Sequence, residues 1–217
     1  MSEYKFNFTQ FLNESRETLL NPKNYFPGMS LSGGMMEPLF KAIIYGVIAG
    51  LFTFLWSILG LSAAGSGVYN SAVGIMSIVG AMFAAVIGVF IGGAIMLLIS
   101  SLCGGNKDYE ANLRVAAAVM VIYPINTLFS FLYRINPTLG LLVSLAITFY
   151  SIYMIYEAIV SALKGKESSA KIVMLVLIVL ALLGTWGSRR ASKSILRYSD
   201  NTEEVQLVKF DAQERET

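Results

Sequence analysis

Histidine is absent from all 217 residues. That removes the commonest general base and the commonest metal ligand. Cys103 is the single cysteine, so no disulfide forms within the chain. Charge is scarce, at 14% of residues, and unevenly spread. None of the sixty-five residues between Lys41 and Lys107 is Asp, Glu, Lys or Arg. Residues 115–133, 135–156 and 172–188 are also uncharged. An unpaired charge in hydrocarbon costs about 2.5 to 3.5 kcal/mol, so a bilayer demands such runs. The net charge is only +2 and the basic residues are scattered, which argues against a nucleic-acid partner. No triad, paired carboxylates in a cleft, metal-ligand cluster or phosphate-binding glycine loop is present. Neither catalysis nor a cofactor or metal is expected.

Hydrophobic residues make up 55% of the chain. They predict an all-α integral membrane protein, a bundle of five transmembrane helices with an N-terminal amphipathic interfacial helix. The membrane domain is expected over 39–188, with helices at about 39–60, 73–102, 113–133, 138–163 and 171–188. A head precedes it (1–38), and a polar, flexible tail follows (189–217), with a short strand at 205–210. Thirty residues at 73–102 would reach about 45 Å as one helix, so a tilt, a kink near Gly92-Gly93 or a re-entrant hairpin is expected. No apolar run near the start fits a cleavable signal, so the first membrane helix serves as its own insertion signal.

The head carries one helical pattern, Thr9 to Leu20. Phe8, Phe11, Leu12, Ser15 and Leu19 share a face, and Asn21-Pro22 ends it. With Phe6, Tyr25 and Phe26, this suits either packing under the bundle or lying at a headgroup layer. Ala42, Gly46 and Gly50 recur every fourth residue, as do Gly80, Ala84, Gly88 and Gly92. Such stripes let helices approach closely in lipid, within one chain or in a homo-oligomer. Pro124 interrupts the third helix. It frees a carbonyl that Asn126 could serve, and Tyr123 stands beside it. Glu157 is the one carboxylate well inside a span, with Tyr150, Tyr153 and Tyr156 on the same helix. It anchors at the interface, pairs with Lys41 or Arg114, or joins Asn126, Tyr123 and Tyr153 in a polar intramembrane site. Glu110 and Arg114 are spaced to pair.

Five crossings place the ends on opposite sides. A cytosolic head gathers Lys5, Arg16, Lys23, Lys41, Lys107, Arg114, Lys164, Lys166 and Lys171 in the cytosol, against Arg134 in the opposite loops. Arg189, Arg190, Lys193 and Arg197 dissent.

Several features fall in a recognisable order. Asn21-Pro22-Lys23-Asn24-Tyr25-Phe26 precedes Gly33-Gly34 and Glu37-Pro38-Leu39. Gly104-Gly105-Asn106-Lys107-Asp108-Tyr109-Glu110 follows with Arg114, then Tyr123-Pro124, then Ala162 to Ser168. The chain resembles the Yip family, the Ypt/Rab-interacting membrane proteins, in its compact prokaryotic branch. The resemblance implies five membrane helices and a cytosolic N-terminus, and for this branch a prokaryotic cytoplasmic membrane. The Asp-Leu-Tyr-Gly-Pro signature of eukaryotic members is absent, so their engagement of small GTPases is not carried over. The expected function is non-catalytic: scaffolding, recruitment or membrane organisation, with the bilayer and protein partners as contacts. The alternative is transport of a small solute or lipid through the Pro124 break and Glu157.

Overall fold

The structure is a computed structural model. It describes residues 6–61, 70–185 and 187, with side chains from residue 76 onward in the second segment. The tail and its expected strand lie outside the described residues, among which every regular element is helical. The chain divides into two units, Met1–Leu175 and Val176–Thr217.

Helix α1 (Phe8–Leu20) starts on Asn7, whose Oδ1 accepts the Gln10 N–H at 3.1 Å. It stops ahead of Pro22, which begins the short α2 (Pro22–Tyr25) and a 3-10 turn, Phe26–Gly28. The first span, α3 (Met36–Ile58), tolerates Pro38 because a first-turn N–H has no helical partner to lose. Next comes α4 (Asn70–Leu102), one continuous helix of 33 residues and no hairpin. At about 1.5 Å per residue it is roughly 50 Å long, more than the hydrocarbon thickness.

The third span is broken into α5 (Tyr109–Val119), α6 (Ile122–Phe129) and α7 (Leu132–Ile135). The fourth, α8 (Pro137–Glu157), begins on Asn136. Its Oδ1 accepts the N–H groups of Thr138 and Leu139, with Pro137 at the first position. A π-helical turn, Ala158–Ala162, closes it. The fifth, α9 (Glu167–Thr185), belongs to the first unit as far as Leu175. Among the described residues, five helices are thus long and apolar enough to cross a membrane.

Helices α3 and α4 meet through the smallest side chains. A Cβ on Gly46 would lie 2.8 Å from the Ala85 Cβ, and one on Gly50 would lie 2.6 Å from the Ile78 Cα. The expected stripe on α4 is misplaced by about one residue. Ala85 and Val89 are buried, whereas a Cβ on Gly80 or Gly88 meets nothing within 4 Å, and Ala84 is exposed. Gly92 makes ordinary contact, its Cβ position 3.5 Å from the Ala116 Cβ, and Gly93 packs tightly against Leu113. Every fourth residue along α4 is small on two faces, so spacing alone does not choose between them. The core of the first unit is filled by Phe26, Leu113, Val115, Met154, Ile159 and Leu163.

Two loops meet at the head side, one after α4 and one after the π-helical turn. The Asn106 N–H donates to the Leu163 carbonyl at 2.7 Å, and the Lys166 N–H to the Cys103 carbonyl at 2.8 Å. Gly104 takes φ +71°, the left-handed conformation that ends α4. Gly105 leaves no room for a side chain, since its Cβ would lie 2.7 Å from the Ser100 Oγ.

Candidate functional site

Lys41 and Arg114 sit one to two turns inside the first and third spans, with side chains only 6% and 4% exposed. Buried cations at that depth demand carboxylates. The head supplies one of them. Lys41 Nζ donates to Glu14 Oε2 at 2.6 Å and lies 2.8 Å from Glu37 Oε1. Arg114 Nη1 lies 2.9 Å from Glu37 Oε2, and its Nε lies 3.5 Å from Glu110 Oε1. Glu37 therefore bridges the two cations and ties α3 to α5. Glu14 ties α1 to the same pair.

Arg114 also holds the linker between head and membrane. Nη1 donates to the Ser30 carbonyl at 3.2 Å and Nη2 to the Gly34 carbonyl at 3.4 Å. The Gly34 N–H donates to Glu110 Oε1 at 2.7 Å. Gly33 has φ +130°, and a Cβ there would lie 2.9 Å from Arg114 Nη2. Gly33 thus leaves room for the guanidinium, and Gly34 supplies a φ of +93°, which side-chain-bearing residues rarely adopt.

Aromatic residues complete the docking of the head. The Tyr45 hydroxyl and Ser15 Oγ are 2.7 Å apart, and Phe11 packs on Tyr45 with ring centroids 5.3 Å apart. The Tyr150 hydroxyl donates to the Leu19 carbonyl. Burial pushes the Tyr25 phenol above its ordinary pKa, against the opposing pull of Lys41. Between α1 and the 24–30 segment lies a pocket of about 460 Å³, lined by Gln10, Glu14, Glu17, Asn24, Tyr25, Gly28, Met29, Ser30 and Glu37. Cys103 is fully buried and burial raises its thiol pKa, which disfavours the reactive thiolate. Among the described residues no group of three or more Cys, Asp or Glu is placed to hold a metal ion.

This clamp carries the order of motifs found in the sequence. The Yip1 domain family model matches residues 16–188. The chain belongs to the Yip1 domain family. No curated protein and no solved structure matches it. Within the Yip1 domain, Asn21 donates its Nδ2 to Glu17 Oε2 at 3.0 Å. Pro22 and Pro38 are buried, Gly33 and Gly34 receive Arg114, and Gly104 and Gly105 close the loop against Leu163.

The polar residues expected to form an intramembrane site do not converge in the same way. Asn126 is exposed, and its side chain forms no hydrogen bond among the described residues. The Met120 carbonyl, which Pro124 cannot serve, accepts the Tyr123 N–H at 2.9 Å instead. Thr127 Oγ1 donates to the Tyr123 and Pro124 carbonyls, at 3.1 and 3.0 Å. Pro124 thus stands in the first turn of α6, where the break is already sealed. Glu157 is half-buried and has Tyr153 as its electrostatic neighbour. It forms no ion pair with Lys41 or Arg114, whose partners are Glu14, Glu37 and Glu110. The Glu14–Lys41 and Ser15–Tyr45 contacts bridge 27 and 30 residues, and no local spacing announces them. Lys41, a charge one turn inside a span, was the available signal.

Proposed function

We propose that this Yip1-domain protein is a non-catalytic membrane scaffold, whose head is held rigidly at the cytosolic mouth of its spans to present a surface to protein partners. The observation that supports this reading is the pair of buried cations, each gripping the head or its linker as well as membrane helices. A segment that merely trailed from the bundle would not need them. The polar pocket beside α1 lies on the surface so presented.

The basic residues of the head, of the 103–108 loop and of the 163–171 loop lie on one side, which favours the cytosol for that side. We place the protein in a prokaryotic cytoplasmic membrane with its tail opposite the head. A reporter fusion at Arg190 checks the tail. Transport through the Pro124 break has less support, because Asn126 is exposed rather than turned into the bundle's core.

Affinity capture of the full chain from native membranes tests the scaffold reading. Tagged wild type should retain proteins that Glu17→Arg, at the rim of the pocket, loses. Identical recovery, or none from either, would count against it. Solute flux into reconstituted vesicles that Glu157→Gln abolishes would instead establish transport.

A further inference from the structure

The N-terminal part of helix α1 carries apolar side chains that the bundle does not cover, whereas Leu19, farther along the same side, packs on the core. Residues of the helix fall about 100° apart around the axis. Phe11, Ser15 and Thr18 point at the bundle, and Phe11 and Thr18 are buried. Gln10, Glu14 and Glu17 line the polar pocket. Roughly opposite that polar side stand Phe8 and Leu12, four residues and about 40° apart. They are 59% and 50% exposed. Arg16 continues the row. It is exposed and forms no ion pair among the described residues.

The depth of α1 identifies what meets this face. Ser15 is fixed to Tyr45 and Leu19 to Tyr150. Tyr45 stands four residues beyond Lys41, the innermost charge of the first span, about 6 Å along the axis. Tyr150 stands seven residues inside Glu157, the charge that bounds the fourth span, about 10 Å. A headgroup layer is only about 5 to 8 Å thick. The helix therefore lies along the flank of the bundle, at the level where headgroups give way to acyl chains. A chain of ring contacts, through the buried Phe11, also links Phe8 to the outside of the first span. Phe40, exposed on α3, packs on Phe6 with centroids 5.8 Å apart, Phe6 on Phe11 at 5.8 Å, and Phe11 on Phe8 at 6.2 Å.

We infer that α1 is a lipid-binding element. Phe8 and Leu12 seat among the acyl chains of the head-side leaflet, and the Arg16 guanidinium takes the phosphate of an anionic phospholipid. The helix is thus amphipathic in three directions: one face to protein, one to water, one to lipid. This inference is independent of the scaffold reading, since a transporter could carry the same element.

The test uses full-length protein in vesicles, with Trp56 and Trp186 replaced by Phe and one tryptophan introduced at a time. In Leu12→Trp and Phe8→Trp the indole should be quenched several-fold more by acyl-brominated phosphatidylcholine than in Gln10→Trp. Iodide should quench the three in the reverse order. Equal quenching at all three positions overturns the inference. So does an indole shielded from both quenchers, which would mean that a second copy or another protein covers the face. Replacing part of the phosphatidylcholine with phosphatidylglycerol should raise bromolipid quenching in Leu12→Trp, and adding Arg16→Gln should cancel the rise. A rise that persists without Arg16 overturns the phosphate assignment.

Discussion

At the head side, Lys41 and Arg114 reach across three elements and engage Glu14, Glu37, Glu110 and two backbone carbonyls. Elsewhere in the spans, Asn126 faces outward, and Glu157, near the head-side end of its span, has tyrosines beside it rather than cations. Both regions place polar groups in apolar helices. Only the first concentrates them, and among the described residues charge is buried only there. A buried ion is expensive unless several partners surround it, so such a cluster requires elements held in fixed register. An exposed amide or a carboxylate near a helix end makes no such demand.

Removing Arg114 attacks this contrast most directly. Arg114→Ala leaves Glu110 half-buried without its cation, leaves Glu37 with Lys41 alone and frees the linker, at a cost of about 3 kcal/mol. Thermal unfolding in detergent, followed by circular dichroism, should show a midpoint several degrees lower. A protein that melts with wild type would mean that the clamp is ornamental. Next in size is the contact between α3 and α4. The Cβ in Gly50→Ala would press on the Ile78 backbone, and such overpacking costs about 1 to 3 kcal/mol. Gly80→Ala meets open space and should gain up to about 1 kcal/mol from helix propensity. If the two changes shift the melting temperature alike, the packing face assigned to α4 is wrong.

Those two glycines also show how far the sequence could be read. Uncharged runs disclose the membrane class and the number of spans, because the bilayer imposes a constraint that each segment satisfies alone. The Gly46-Gly50 stripe was likewise legible, since α3 offers one small-residue face. On α4 small residues occupy several faces, and tertiary packing selected Ala85 and Val89. The clamp was legible only in halves. Glu37–Lys41 and Glu110–Arg114 are four apart, but their union through Glu14 depends on how the head folds back. Glu157 drew notice for its position in a span, yet position alone does not report partners. Glu157→Gln should accordingly change stability by no more than about 0.5 kcal/mol. A loss comparable to that of Arg114→Ala would dissolve the distinction between the two regions.

The smallest effect concerns Tyr25, at the edge of the clamp. Burial raises its phenol pKa in the docked head, with Lys41 pulling the other way. In a released head the phenol ionises at its ordinary value, about 10. The docked form is thus the one that keeps its proton longer. Docking is unaffected below about pH 10 and weakens as pH climbs from there through the raised value. Melting temperatures of wild type should fall more steeply than those of Tyr25→Phe between about pH 9 and 11. Parallel slopes would show that the phenol takes no part in holding the head, leaving that task to Glu14 and Lys41.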